Sequence, residues 1–284
     1  MRALPVIAGY ALQEALRRRI FHVVLLLTAV YLGLYWLGSD TAFEEVARFD
    51  ENLPVEEQEL TGGTLFGLSM FGTLFLGAVL AAFLTLGVVR GDAERGLLQP
   101  LVVRPVGRGA LLLGRFLGAA AVCVPYVLAV YTACALITRT SGDWWPDQFL
   151  RPGFQLAAGV LVIAALGLLG SVFLSATANG IAIFMVFGAG LVAGLLGQIG
   201  EALNSETLQT VADRTSWALP FEALYQQALA DITQDTFGFS KLAIDLGPFG
   251  GARTFGAPLW PYTVVYLAAV GAVALARFRA RDLS

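Results

Sequence analysis

The run from residue 90 to residue 115 reads RGDAERGLLQPLVVRPVGRGALLLGR, a polar and basic segment in a chain that is otherwise strongly apolar. It carries five arginines, at positions 90, 95, 104, 108 and 115, together with two acids, Asp92 and Glu94. Long apolar runs lie on both sides of it, and its middle is long enough for a short helix. The run is therefore predicted to be a hydrophilic connector between two membrane-spanning helices.

The composition places the chain among integral membrane proteins. Of its 284 residues 57% are hydrophobic and 14% are charged, and the mean hydropathy is +0.72, far from the values of an average soluble domain. Apolar runs of about 20 residues, the length that crosses a hydrocarbon core, occur at 20–38, 65–89, 116–137, 154–174, 180–199 and 259–276. Because these runs are continuous, the predicted fold is an all-α membrane protein with six transmembrane helices in one domain, 1–284.

The distribution of arginine predicts how the chain is oriented. With six spans, the amino terminus, the connector at 90–115 and the carboxyl terminus share one side of the membrane. That side holds twelve of the 18 basic residues but four of the 21 acidic residues. The positive-inside rule makes it the cytoplasmic side, with both termini inside. The net charge of −3 averages two faces of opposite charge, and it gives no reason to expect nucleic-acid binding.

Residues 1–19 are predicted to form a helix of their own that lies in the membrane interface. Apolar side chains recur there every three or four residues, with Gln13, Glu14, Arg17 and Arg18 on other faces. This is the pattern of an amphipathic interfacial helix. A simple basic anchor is the alternative.

The sequence predicts that the chain has no energy source or cofactor of its own. It lacks phosphate-loop, zinc-protease and nucleophile-elbow motifs, and two cysteines with one histidine are too few for a metal site. Its hydrophilic cytoplasmic stretch of about 25 residues is too short for a nucleotide-binding domain. Ionisable residues are nearly absent from the middles of the six runs, whereas ion-driven carriers usually keep one at midplane.

The connector resembles the cytoplasmic signature of ABC-2 type transporter permeases. The residues that carry the resemblance are ERGLL at 94–98, RPVGR at 104–108 and LLLGRFLG at 111–118. The family pattern is approximately E-R-G-[ST]-L, then R-P-[VI]-[ST]-R, then L-L-x-G-[KR]. The opening LQEALRRR at 12–19 is similar to the subgroup named for multi-copper enzyme and nitrous oxide reductase maturation. Pro100 and Gly107 depart from the pattern, which affects the shape of the predicted coupling helix.

The resemblance implies a transmembrane domain like that of type V exporters. It implies a permease subunit of an ATP-binding cassette exporter in the inner or plasma membrane of a prokaryote, paired with a second copy or a paralogue. ATP and magnesium would be bound by a separate ATPase subunit and not by this chain. The residues implied to contact that ATPase are Asp92, Glu94, Arg95, Gly96, Arg104, Pro105 and Arg108. The alternative is that these arginines only bind anionic membrane lipids and set the topology.

Two segments are predicted on the outer side. Segment 40–63 carries eight acids against one arginine and is interpreted as a solvated loop, with a cation-gathering mouth as the alternative. Segment 200–258 is predicted to contain short helices, including an amphipathic one at 217–233. It would act as a lid over the exit or bind an extracytoplasmic partner. Two other functions stay open for the whole chain, a membrane scaffold that moves no cargo and an ion-driven carrier.

Overall fold

The computed structural model describes residues 19–49, 55–86, 108–232 and 251–280. Within these ranges the regular structure consists of eight helices and includes no strand. Six of the helices are long and apolar enough to cross a membrane. The prediction of an all-helical protein with six spans is therefore confirmed. The predicted interfacial helix at 1–19 lies outside the described residues except for Arg19.

Each spanning helix covers all or most of its predicted apolar run. The spanning helices are α1 (Arg19–Phe49), α2 (Val55–Thr85), α3 (Arg108–Gly142), α4 (Leu150–Phe173), α5 (Ala176–Ala202) and α8 (Leu259–Ala280), and two shorter helices, α6 (Glu206–Ala218) and α7 (Pro220–Ile232), lie between α5 and α8. The connector joins α2 to α3. We call its side of the bundle the connector end, and the side where α1 finishes and α2 begins the opposite end.

The acidic segment at 40–63 is not the loop that the sequence predicted. Helix α1 continues through it to residue 49 and α2 begins at residue 55, so both helices extend beyond their apolar runs. Phe43 is buried against Gly142 at the end of α3, and the Gln58 side-chain amide donates a hydrogen bond to the Gly142 carbonyl. The helical form is stabilised because both extensions pack on the end of α3, a tertiary contact that composition does not reveal.

Helix α4 lies at the centre of the bundle and contacts α2, α3, α5, α7 and α8. Most of α2 and α4 is buried, whereas α1 and α8 expose most of their surface. The exposed face of α1 carries Leu26, Val30, Leu34 and Trp36, each more than half exposed. Apolar side chains of this kind are expected where a helix meets lipid tails.

Hydroxyl pairs join α1 to α3 inside the bundle. The Thr28 and Tyr126 hydroxyl oxygens lie 2.5 Å apart, and those of Tyr35 and Thr138 lie 2.6 Å apart. A polar group that is buried away from water is costly unless it is hydrogen-bonded. These two pairs therefore fix the register of α1 against α3 while satisfying the hydroxyl groups of both helices.

The described part of segment 200–258 contains two short helices. The helix predicted at 217–233 begins later than predicted, at Pro220. Helix α6 runs back along α5, and their backbones come so close that a Cβ atom on Gly200 would lie 2.9 Å from the Gln209 nitrogen. The chain then breaks at Leu219, and α7 begins at Pro220. Proline favours a helix start because it has no N–H to leave unbonded and its φ angle already suits a helix.

The first residues of α7 pack tightly on α5. The ring of Phe221 stacks on Phe187, with centroids 5.7 Å apart. A Cβ atom on Gly190 would lie 2.5 Å from a ring atom of Phe221, whereas one on Gly188 would have nothing within 4 Å. Gly190 is therefore the residue that allows α7 to reach α5.

We expect Gly190→Ala and Gly188→Ala to change stability in opposite directions. Both variants gain the helix propensity of alanine, up to about 1 kcal/mol, but the Gly190 variant also overpacks the Phe221 ring at a cost of about 1–3 kcal/mol. Thermal unfolding in detergent should show a lower midpoint for Gly190→Ala than for Gly188→Ala. Equal midpoints would mean that Phe221 does not pack on α5 as described.

Candidate functional site

The predicted coupling residues fall largely outside the described residues. Asp92, Glu94, Arg95, Gly96, Arg104 and Pro105 lie in the range 87–107, about which the structure gives no description. Arg108 is the first residue of α3. The functional role of this set stays a prediction from the sequence.

The site that the structure itself reveals is helix α7. All thirteen of its residues are buried, although the sequence predicted an outer amphipathic helix. It runs antiparallel to α2, with Leu229 close to Gly67 and Tyr225 against Phe71. Phe221, at its other end, packs beside Gly159 near the Leu74 side chain. Because Leu74 lies near the middle of the apolar part of α2, α7 reaches about halfway across the bundle from the opposite end.

An ion pair between a buried acid and a partly exposed arginine holds the outer end of α7. The Arg151 Nε atom lies 3.2 Å from an Asp231 carboxylate oxygen, and Asp231 is fully buried. Gln155 and Gln227 donate to its two oxygens at 2.8 and 2.9 Å. Three donors thus satisfy the Asp231 carboxylate, which is the condition under which a buried charge is tolerated.

The same network also fixes the chain that leads into α8. The Gln227 side-chain oxygen accepts hydrogen bonds from the backbone N–H groups of Phe255 and Gly256, at 2.7 and 3.2 Å. Gln227 therefore uses its amide nitrogen on Asp231 and its oxygen on the backbone. As a result α4, α7 and the residues before α8 are joined at one point.

A second ion-pair cluster ties α5 and α6 to the segment before α8. Arg253 lies 2.8 Å from Asp213 on α6 and 3.4 Å from Glu201 on α5. Both acids are about half exposed, so water competes with these contacts and each is worth little by itself. The cluster positions the α5–α6 turn without locking it.

Glu222, near the inner end of α7, is in a different situation from Asp231. It is fully buried, and one of its oxygens accepts a hydrogen bond of 3.1 Å from the Gln226 amide. Its second oxygen, the Tyr225 hydroxyl and the Gln226 side-chain oxygen have no hydrogen-bond partner among the described residues. Burial raises the pKa of Glu222 to about 8, although the bond from Gln226 lowers it. Burial therefore favours the protonated, neutral form of this carboxyl.

Glu222 adds an ionisable group that the six apolar runs do not contain. In the sequence, ionisable residues are nearly absent from the middles of these runs, which favours an energy source outside the chain. The fold returns α7 to that depth, so a carboxyl from outside the six apolar runs lies beside their middle. The signal was present in PFEALYQQALADI at 220–232, where Glu222 and Gln226, and then Gln227 and Asp231, repeat four residues apart among apolar residues.

The fold and this site define a multi-pass helical membrane protein with a helical pair that folds back into the bundle from one end. A family model described as ABC-2 family transporter protein matches residues 6–283. The chain therefore belongs to the ABC-2 transporter family and is a membrane subunit of the permease type. A comparison with curated proteins finds no match.

Removing the partner of Asp231 should destabilise the protein. Arg151→Met leaves a buried carboxylate without its cation, a change that costs about 3–5 kcal/mol for a fully buried pair and less here because Arg151 is 45% exposed. We expect a lower thermal unfolding midpoint, partly restored in Arg151→Met with Asp231→Asn. Arg48→Met removes an exposed pair with Glu44 and should change little. Equal losses in the two single variants would contradict the importance assigned to the network.

Glu222 should make stability depend on pH. Its pKa is about 8 in the folded chain against an ordinary 4.5, so the folded state binds the proton more tightly. This bound proton stabilises the folded state. The stabilisation is complete below about pH 4.5 and is lost as the pH rises towards about 8. The unfolding midpoint of the wild type should fall across this pH range. In Glu222→Gln, whose side chain stays neutral, the midpoint should fall less, because the contribution of Glu222 is missing. Exposed Glu206→Gln is the control, and parallel curves for all three proteins would contradict the assignment.

Proposed function

We propose that this chain is the permease subunit of an ATP-binding cassette exporter and takes its energy from a separate ATPase subunit. The observation that supports this most strongly is the family match over nearly the whole chain, together with six spanning helices. Subunits of this family are normally not catalytic. Export is favoured because the connector resembles that of exporting members of the family.

The connector at 90–115 is proposed as the element that receives motion from the ATPase. Its acids Asp92 and Glu94 and its arginines Arg95, Arg104 and Arg108 would form polar contacts, while Gly96 would allow close backbone approach and Pro105 would stiffen the exit into α3. Interleaved acids favour a protein partner over lipid headgroups, because acidic residues would repel an anionic membrane surface. Arg108 is the first residue of α3, so the connector leads directly into a spanning helix.

The complex is proposed to contain two permease chains, this one with a second copy or a paralogue, in the inner or plasma membrane of a prokaryote. The connector end would face the cytoplasm, in agreement with the positive-inside rule. At the opposite end, α6 and α7 fold back into the bundle and are proposed as the part that closes the exit. An extracytoplasmic partner remains the competing role for this region.

The direct test is to purify the chain from its native membrane in mild detergent and to identify the proteins that stay with it by mass spectrometry. We expect a stoichiometric soluble ATPase, which should be lost from the variant that combines Glu94→Ala and Arg95→Ala. Substrate-independent ATP turnover of the purified complex should fall in parallel.

Arg214→Ala is the matched control, because Arg214 is an exposed arginine on α6 at the opposite end. It should leave the ATPase bound. If no ATPase is recovered under conditions that keep other membrane complexes intact, the scaffold or carrier alternative is favoured. If the double variant keeps the ATPase and its full turnover, the connector does not couple the two subunits.

A further inference from the structure

One turn of α7 gathers three polar side chains whose hydrogen-bonding capacity is not used. Glu222, Tyr225 and Gln226 lie on the same side of the helix, since positions three and four apart are neighbours. Each has one buried oxygen without a hydrogen-bond partner in the described part of the chain. A buried unsatisfied polar group normally costs about 1–3 kcal/mol. All three would gain hydrogen bonds if water reached this turn of α7.

The described helices pack closely around α7. Leu229 lies against Gly67 and Phe221 against Gly190, so α7 is close to both neighbouring helices. Two cavities, of about 370 and 230 Å³, have mainly apolar and small side chains in their walls, and Glu222 is not among them.

Among the described residues, no charged side chain is placed to balance a negative charge on Glu222. Tyr225 is its titratable neighbour on α7, and Asp231 lies nine residues away, about 13 Å along the helix. Other charged side chains that the structure describes on the surrounding helices are exposed or paired with other residues: Glu59 on α2, Arg151 on α4, Glu201 on α5, Glu206, Asp213 and Arg214 on α6, and Arg277 and Arg279 on α8. An ionised Glu222 would therefore be an unpaired buried charge.

We propose that Glu222 is a proton-binding site of the transport cycle: its carboxyl holds a proton while α7 is packed in the bundle and exchanges it with water when α6 and α7 move away from α2 and α4. The proton goes to, and returns from, the solution at the opposite end, where α7 emerges. The water that enters satisfies the free oxygens of Tyr225 and Gln226. This inference rests on the proposed transport function.

The structure provides the means for such a movement. The break at Leu219 and Pro220 separates α6 from α7 and can act as a hinge. Polar contacts are among those that hold the pair at the opposite end, namely Arg151 with Asp231 and Arg253 with Asp213 and Glu201. Such contacts can be exchanged for water, unlike the apolar packing deeper in the bundle.

The first experiment detects the proton directly on the wild-type chain. An apolar carbodiimide adds to a neutral carboxylic acid in a membrane to give a stable acylurea, which peptide mass spectrometry locates. In vesicles containing the purified chain, labelling of Glu222 should fall several-fold as the pH rises through about 8. Asp231, which lies on the same helix and is paired with Arg151, should stay unlabelled and is the internal control.

The second experiment tests the link to transport in the complex with its ATPase. Trapping with ATP and vanadate should decrease labelling of Glu222 several-fold at neutral pH relative to the nucleotide-free complex, because contact with water releases the proton that the reaction requires. ATP turnover should vary with pH between about 6 and 9, and that variation should be lost in Glu222→Gln and retained in Glu222→Asp.

The outcomes separate the two proposals. If no ATPase binds the chain, the proposed function fails, while pH-dependent labelling of Glu222 in vesicles would still establish its proton. Absence of labelling in every state, or labelling that does not change with pH, overturns the proton site. A Glu222→Gln turnover profile that superimposes on the wild type also overturns it, because a residue with only a structural role would give that result.

Discussion

The pairing of Asp231 with Arg151 is the interaction on which the position of α7 depends. A carboxylate buried in an apolar bundle costs several kcal/mol unless its oxygens are bonded and its charge is balanced. Arg151, Gln155 and Gln227 meet that requirement together. Because Gln227 also holds the backbone at Phe255 and Gly256, the same contacts set where the chain turns into α8.

The two acids of α7 therefore have different surroundings, although they lie on one helix. Asp231 is surrounded by a cation and two amide donors, near the end of the bundle where Arg151 reaches water. Glu222 lies about 13 Å further in with a single amide neighbour, and it avoids the cost of a buried charge by remaining protonated. The two carboxyl groups therefore differ in the number of donors directed at them, three for Asp231 and one for Glu222.

The sequence was sufficient for the class of fold because long apolar runs leave few alternatives in a membrane. It failed where tertiary contacts decide the structure. The many acids of residues 40–63 predict a loop. The helices continue through most of this segment because Phe43 and Gln58 contact the end of α3. Residues 220–232 look amphipathic, which predicts an interface, whereas their polar side chains bind one another and α4. Of the predicted coupling set, Arg108 alone falls within the described residues, so the sequence remains the source for that part of the site.

The position of α2 suggests how events at the two ends of the bundle are related. The connector follows α2 directly, and α2 is also a helix on which α7 lies, through Gly67 with Leu229 and Phe71 with Tyr225. Helix α4 packs against both. Closely packed helices move as units more readily than they deform, so a displacement of α2 by the proposed ATPase would change the surface that buries Glu222. Loss of that surface removes the reason for the carboxyl to keep its proton.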